Sequence, residues 1–114
     1  MEDCLFCKIV AKKIPAKVVF EDDRILAFDD IRPQAPAHTL IIPKEHFASL
    51  NDLPEGKADI LSYILMKARQ IAQDKSIFRS GYRIVLNTAR DSGQEVFHIH
   101  FHLLCGRKMT WPPG

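Results

Sequence analysis

Residues 96–104 read VFHIHFHLL, and this alternation of histidine with apolar residues constrains the fold more than any other segment. Successive side chains of a β-strand point to opposite faces. The pattern therefore predicts a strand with His98, His100 and His102 on one face and apolar side chains on the other. A row of histidines on a partly buried face is costly unless each side chain has a partner, so the pattern indicates a functional site.

Three kinds of arrangement use histidines in this way. A histidine with one hydrogen-bond partner explains a single position but not three in a row. Two histidines at i and i+2 can chelate one metal ion, but three that span about 13 Å cannot all reach the same ion. Additional ligands are available elsewhere in the chain: His38, His46, Glu45 and Glu95. A neutral imidazole can also attack phosphorus and form a P–N bond that water later cleaves, with donors from the preceding Ser-Gly-Gln loop.

The rest of the chain predicts an α+β fold. Apolar and β-branched runs indicate four further strands, at residues 17–20, 25–29, 38–42 and 82–87. A short helix is predicted at residues 4–12, and a long helix is predicted from Asp52, with Pro54 and Glu55 in its first turn, to about Lys75. Because hairpin-like links replace βαβ repeats, we expect one domain over residues 1–114, with a mainly antiparallel five-stranded sheet.

Composition excludes several classes of protein. The 114 residues carry a net charge of +2, with basic and acidic residues interleaved, so a nucleic-acid surface is not indicated. No apolar run reaches the roughly 18 residues of a membrane span. Three cysteines, two of them as Cys4-x-x-Cys7, argue against a secreted disulfide framework. We therefore expect a cytoplasmic protein that binds neither membranes nor nucleic acid.

A longer set of segments surrounds the histidines. The motif HIHFHLL has the form His-φ-His-φ-His-φ-φ, where φ is apolar, and it is accompanied by FCKI, KIPAKVVFEDDRILAFDDIRPQAPAHTLIIPKEH, VLN, SGQEV and a terminal WPPG. Together these segments resemble the histidine triad (HIT) superfamily over nearly the whole chain. The WPPG end resembles the Hint branch of that superfamily.

The resemblance implies a nucleotide hydrolase that cleaves purine nucleoside 5′-phosphoramidates to the nucleoside monophosphate. By position, His100 attacks the α-phosphorus and carries the nucleotidyl group covalently. His102 contacts the phosphate, and His38 assists proton movement to the leaving amine. Two alternatives remain: a dinucleoside polyphosphate hydrolase, and a nucleotide-binding interaction protein with vestigial activity.

The resemblance also implies a nucleotide site with three parts. Asp30 binds the ribose beside Ile31, and the base lies between apolar walls formed by Phe6, Ile9, Ile14 and Phe28. The phosphate is held by Asn87 and by the backbone of Gly93, Gln94, Glu95 and Val96. Carboxylates suit a ribose diol and apolar walls suit a purine face, although Phe6, Ile9 and Phe28 could equally be plain core.

Two positions depart from the pattern of the best-known eukaryotic Hint proteins. Glu95 stands where those proteins have a serine that touches the leaving group, and Asp29 stands where they have a histidine beside the base pocket. A negative charge at Glu95 could alter the choice of leaving group, or the side chain could point to solvent.

Zinc-bearing members of the superfamily imply a structural zinc site at Cys4, Cys7, His46 and His98. The Cys-x-x-Cys spacing places two thiolates at adjacent corners of a tetrahedron, and two imidazoles complete it. In the alternative, the cysteines bind no metal, and His98 only positions neighbouring residues through hydrogen bonds. No catalytic metal and no organic cofactor are implied.

A two-fold homodimer is expected for two reasons. The apolar surface of the long helix is wider than one core-facing stripe, and the strand at residues 82–87 could join two sheets edge to edge. The resemblance also implies a tail that carries Trp111 toward the partner's active site, where the alternative is a packing anchor on its own subunit.

Overall fold

The computed structural model describes residues 3–77 and 79–114 of the chain. The elements are, in order, α1 (Leu5–Val10), β1 (Val18–Glu21), β2 (Ile25–Asp29), β3 (Ala37–Pro43), α2 (Asp59–Asp74), β4 (Tyr82–Leu86) and β5 (Phe101–Cys105). Three short 3₁₀ turns lie at Leu50–Asp52, Glu55–Lys57 and Arg90–Ser92. No helix in these described ranges combines the length and the apolar content that crossing a bilayer requires.

The five strands form one sheet in the order β1-β2-β3-β5-β4, and every neighbouring pair is antiparallel. The predicted α+β fold, with a five-stranded antiparallel sheet, one long helix and one short helix, is confirmed. On β5, His102 lies opposite Leu40 of β3 and Val85 of β4. Residues directly opposite each other point to the same face, so this face holds His102 at the middle of the sheet.

One face of the sheet is covered by α2. Its buried side chains Ile60, Ile64, Ala68 and Ile71 recur every three or four residues and pack on the sheet. The alternate positions of the histidine segment, Ile99, Phe101 and Leu103, belong to the same core. The predicted division of this segment into an apolar face and a histidine face is therefore confirmed.

The other face is covered only in part, by α1. Phe6 and Ile9 pack there against Leu26, Phe28 and Leu40. A helix of six residues is too short to cover a five-stranded sheet. The remaining area of this face, which includes the histidines, is therefore left to form a cavity.

The predicted start of the histidine strand was wrong. The strand begins at Phe101, and residues 96–100 precede it as irregular backbone. Local bonds replace the sheet ladder there, because the carbonyl of His98 accepts from the ring of His100 and the Ile99 N–H donates to the carbonyl of Phe47. Of the three histidines, only His102 lies on the strand.

The predicted start of the long helix was also wrong, because α2 begins at Asp59. The Asp52 carboxylate accepts a hydrogen bond of 2.9 Å from the Ser49 hydroxyl instead of capping a helix. Residues 50–57 form two separate 3₁₀ turns on either side of Pro54, whose ring nitrogen has no N–H to donate.

Candidate active site and metal site

The uncovered part of the sheet forms a cavity of about 710 Å³ between α1, the β2–β3 loop and the segment before β5. This volume lies within the range of small-molecule sites. Of the predicted catalytic and nucleotide-binding residues, all but one line it: Phe6, Ile9, Ile14, Phe28, Asp30, Ile31, His38, Asn87, Gly93, Glu95, Val96, His100 and His102. The exception is Gln94.

The ring of His100 is fixed by its own backbone neighbourhood. Its Nδ1 lies 2.8 Å from the carbonyl oxygen of His98, which can only accept, so Nδ1 carries the proton. The edge of Phe6 packs on the ring, with centroids 5.0 Å apart and planes at 85°. Within residues 3–77 and 79–114, Nε2 of His100 has no hydrogen-bond partner and is not sealed from solvent. An unprotonated ring nitrogen therefore faces the cavity.

His102 and His38 form a pair beside His100, with the ring centroids of His100 and His102 5.0 Å apart. Nδ1 of His102 lies 2.9 Å from Nε2 of His38, and that Nε2 lies 3.4 Å from a carboxylate oxygen of Asp30. The second oxygen of Asp30 accepts from the N–H of Arg32 at 2.9 Å. The side chain of Asp30 is thus oriented by the loop, and the histidine pair lies against it.

The cavity wall formed by residues 87–96 is held by the buried side chain of Gln94. Its Oε1 accepts from the N–H of Ala89 at 2.8 Å, and its Nε2 donates to the carbonyls of Ala48 at 2.8 Å and Val96 at 3.1 Å. Ala89 has a φ of 66° and a ψ of −168°, a conformation that residues with a Cβ rarely adopt. Gln94 thus holds a strained loop, and its side chain does not face the cavity.

The four predicted metal ligands also lie close together, next to the ring of Phe6. One ligand atom from each of Cys4, Cys7, His46 and His98 lies within 4.8 Å of the others. Nδ1 of His98 lies 3.3 Å from the sulfur of Cys4, 3.5 Å from that of Cys7 and 3.1 Å from Nδ1 of His46. The sulfur of Cys7 lies 3.3 Å from Nδ1 of His46.

This cluster fits a tetrahedral zinc ion. At Zn–S of about 2.3 Å and Zn–N of about 2.0–2.1 Å, the ligand atoms are about 3.4–3.8 Å apart, within about 0.3 Å of each measured pair. Nε2 of His98 donates to the carbonyl of Pro43 at 2.7 Å, which leaves the lone pair of Nδ1 aimed at the thiols. The four residues would fill every position of such an ion, which is the character of a structural zinc site.

The sequence matches the HIT domain family over residues 11–109. The chain belongs to the HIT domain family. It is 47% identical over 112 residues to the "14 kDa zinc-binding protein" of Zea mays, covering 96% of this chain and 87% of that protein. It is 46% identical over 112 residues to "Adenylylsulfatase HINT1" of Arabidopsis thaliana, covering 96% of this chain and 76% of that protein. A HIT family hydrolase from Legionella pneumophila Philadelphia 1 has the same fold, with a TM-score of 0.95, 57% identity and coverage of 98% of this chain and 100% of that one.

These comparisons confirm the predicted HIT superfamily, and the Arabidopsis relative supports the Hint branch. Eight cavity-lining residues of this chain were not predicted from its sequence: Leu5, Pro15, Ala16, Arg32, Gln34, Leu40, Val85 and Leu104. Leu40, Val85 and Leu104 share the face of His102, so correct strand pairing would have identified them. No local signal identifies Arg32 and Gln34, because their positions depend on the path of a loop.

The acidic side chains of the HIT cavity outnumber the basic ones. Asp29, Asp30 and Glu95 line it, against the single guanidinium of Arg32. Glu95 is exposed and also lines the cavity, so the two predicted positions for its side chain are compatible. The cavity therefore disfavours additional negative charge next to these carboxylates.

Burial keeps the histidines of the HIT cavity neutral. Desolvation lowers the pKa of His102 to about 4, with smaller contributions from the nearby charges of His100 and His38 and opposition from Asp30. Burial also lowers the pKa of His38 and of His100, again against the field of Asp30. All three imidazoles are consequently neutral near pH 7, each with one protonated and one unprotonated nitrogen.

We predict that stability falls as the pH drops from about 7 to about 5, and that His102→Gln reduces this loss. His102 has a lower pKa in the folded state than its ordinary value of 6.5, so the unfolded chain binds more protons below that pH. After discounting for the open cavity, we expect a difference of about 1–2 kcal/mol between variant and wild type over this interval. Urea unfolding at both pH values measures it, and equal losses in the two proteins would contradict the prediction.

Proposed function

We propose that the protein is a nucleotide hydrolase that cleaves the P–N bond of purine nucleoside 5′-phosphoramidates and releases the nucleoside monophosphate. The observation that carries the proposal is the 2.8 Å bond from Nδ1 of His100 to the carbonyl of His98, because it leaves the lone pair of Nε2 facing the cavity. The relatives whose names include hydrolase and adenylylsulfatase support this class of reaction.

The reaction proceeds in two displacement steps. Nε2 of His100 attacks the α-phosphorus, the P–N bond to the amine breaks, and the amine leaves with its electron pair and takes a proton from solvent in the open cavity. Water then attacks the same phosphorus, the bond from phosphorus to Nε2 breaks, and the monophosphate is released. His102 donates a hydrogen bond from its Nε2–H to a phosphoryl oxygen, which stabilises charge on that oxygen in both steps.

Recognition of the nucleotide uses the three predicted parts of the cavity. The Asp30 carboxylate has lone pairs left for the ribose hydroxyls after it accepts from Arg32. Phe6, Ile9 and Phe28 are buried core residues and also line the cavity, so the two predicted alternatives for them are compatible. Asn87, Gly93, Glu95 and Val96 surround the position of the phosphate, and the side chain of Gln94 supports them from behind.

The leaving group distinguishes this proposal from its alternatives. An amine leaves without adding negative charge to a cavity that already holds three carboxylates. Adenylyl sulfate is the second candidate substrate, favoured by the name of the Arabidopsis relative, but it releases a sulfate dianion. Dinucleoside polyphosphates likewise release a highly charged nucleotide. Binding without turnover is the outcome expected of an interaction protein with vestigial activity.

A structural zinc ion held by Cys4, Cys7, His46 and His98 is part of the proposal. The closed set of two thiols and two imidazoles supports it, and so does the name of the Zea mays relative. The ion would crosslink α1 to the segment before β5 and leave the cavity chemistry free of metal. Thiolate ligands must stay reduced, and the three cysteines form no disulfide, which agrees with a cytoplasmic location.

A two-fold homodimer completes the proposal. Strand β4 is at the edge of the sheet, and Leu65 and Met66 on α2 are 42% and 50% exposed. A second copy can pair with the edge of β4 and cover these side chains. Trp111 is 81% exposed, so it is no packing anchor on its own subunit, and the position near a partner's active site remains the proposal for it.

We predict that His100→Ala abolishes turnover of adenosine 5′-phosphoramidate while it preserves folding and AMP binding. Removal of the attacking nitrogen should lower kcat by about 10³-fold or more. Release of AMP measures turnover, and rapid quenching of wild type with labelled substrate should trap label on the protein. Near-normal turnover by the variant would reject the nucleophile, and faster cleavage of adenylyl sulfate by wild type would favour the second substrate.

We predict that protein purified without chelator contains one zinc ion per chain, that Cys4→Ser loses it, and that Cys105→Ala keeps it. Cys105 is the matched control, because it is buried in the core under α2, outside the ligand cluster. A chelator should lower the Tm of wild type by several degrees and leave the Tm of Cys4→Ser unchanged. Elemental analysis that finds equal zinc in Cys4→Ser and Cys105→Ala would contradict the site.

We predict that light scattering at micromolar concentration gives twice the chain mass of 13.0 kDa. Met66→Glu should shift the protein toward the single-chain mass, because the change buries a charge in the proposed interface. Gln73→Glu adds the same charge at another exposed position on α2 and should leave the mass unchanged. A single-chain mass for wild type would refute the dimer.

A further inference from the structure

The loop between β2 and β3 makes one contact with the histidines that the chemistry above does not use. The backbone N–H of Gln34 donates to Nδ1 of His38 at 3.0 Å. A backbone N–H can only donate, so this Nδ1 must hold a lone pair. The proton of the neutral His38 ring is therefore on Nε2.

The same reasoning extends to the next ring. The Nε2–H of His38 points at Nδ1 of His102, 2.9 Å away, so that nitrogen accepts. The proton of neutral His102 is then on its own Nε2, and this ring lines the cavity. Three N–H groups therefore donate in the same direction: that of Gln34 to His38, that of His38 to His102, and that of His102 into the cavity at the proposed position of the phosphate.

This chain of bonds also opposes protonation of His38. Asp30, 3.4 Å away, favours a charged ring, and the rings of His100 and His102 lie on the same face. Asp29, Arg32 and Glu95 are further charged groups that line the same cavity. A second proton on His38 would have to occupy Nδ1, where it would face the N–H of Gln34 and break that bond. The ring also has no free lone pair for a metal ion, although Asp30, His38 and His102 lie close enough together to suggest one.

The peptide of Gln34 is itself held in place. The carbonyl of Gln34 accepts from Nε of Arg107, in the segment after β5, at 2.9 Å, and its side chain donates to the carbonyl of Arg32 at 3.1 Å. Gly106 packs on Pro36 so closely that a Cβ there would lie 2.9 Å from the ring of the proline. The orientation of this amide is therefore built into the fold.

We propose that the backbone amide of Gln34 is a positioning group for the active site, which fixes His38 and His102 in single tautomers so that His102 always presents an N–H to the phosphate. The role of the His102 N–H toward the phosphate rests on the proposed hydrolase activity. His38 is consequently a positioning residue that acts through His102. This role takes the place of the proton-transfer role that the sequence led us to expect for His38. Neither of its ring nitrogens is free to carry a proton to the leaving amine.

The tautomers can be read directly in the wild-type protein by ¹⁵N NMR of the imidazole rings. His38 and His102 should each show a protonated Nε2 and an unprotonated Nδ1, and His100 should show the reverse. The states of His38 and His102 should be the same at about pH 7.5 and about pH 5.5, an interval in which an ordinary histidine becomes charged. A His38 ring that is protonated at Nδ1, or that titrates in this interval, overturns the proposal.

Gln34→Pro removes the N–H, and Gln34→Ala keeps it. In Gln34→Pro, His38 should titrate in the interval above, kcat for adenosine 5′-phosphoramidate should fall by about tenfold or more, and the acid limb of its pH profile should move toward neutral pH. Gln34→Ala should retain the wild-type imidazole signals and lose far less turnover. A folded Gln34→Pro protein with the tautomers and pH profile of wild type would overturn the proposal.

The two arms separate this inference from the proposed function. If wild type does not cleave the phosphoramidate but shows the expected tautomers, the hydrolase proposal fails and the structural role of Gln34 stands. If wild type is active and His38 titrates normally, the positioning role fails and the hydrolase stands. Because the NMR arm uses wild type alone, a Gln34→Pro variant that does not fold leaves the decision to the wild-type tautomers.

Discussion

The position of His98 connects the two sites of this protein. Its ring faces the thiols of Cys4 and Cys7, its Nε2 is held by the carbonyl of Pro43, and its own carbonyl accepts from Nδ1 of His100. One residue therefore belongs to the cluster of cysteines and histidines through its side chain and contacts the proposed nucleophile, His100, through its backbone. Any change that displaces the ring of His98 also displaces the group that sets the tautomer of His100.

Helix α1 reinforces this connection from the opposite side. Phe6 lies between the two cysteines in sequence, and its ring makes edge-to-face contacts with His98 at 6.0 Å, His100 at 5.0 Å and Phe28 at 5.5 Å. Such contacts have a preferred geometry, so they restrict ring orientation as well as burying surface. A helix of six residues is only marginally stable by itself. Helix α1 is held in place by this packing and by the contacts of Cys4 and Cys7 with His46 and His98.

The sequence predicted those features that follow from local periodicity. The alternation in residues 96–104 correctly placed Ile99, Phe101 and Leu103 in the core, and the strand Ile25–Asp29 was predicted with its observed bounds. The resemblance to a known family identified most residues of the cavity. Periodicity was insufficient where side chains form local hydrogen bonds, as between the His100 ring and the His98 carbonyl before β5 and between the Ser49 hydroxyl and the Asp52 carboxylate before α2. The contact of Gln34 with His38 was not predicted, because it depends on the path of the loop between them. The contact of Arg107 with Gln34 was not predicted either, because it joins segments that are adjacent only in the folded chain.

A shared principle explains how these histidines are held in single tautomers. Each fixed tautomer begins at a backbone group: the carbonyl of Pro43 for His98, the carbonyl of His98 for His100, and the N–H of Gln34 for His38. Backbone amides do not titrate, so these partners keep the same donor or acceptor character over the whole range in which histidine changes its charge. Burial is what keeps the rings neutral: it lowers the pKa of His98 and of His100, although the carbonyl bonds raise both and Asp30 also raises that of His100. An imidazolium would have no lone pair with which to attack phosphorus. Placing the carboxylate at 3.4 Å from Nε2 of His38, with a backbone donor on the other nitrogen, keeps its field in the site while the ring stays neutral.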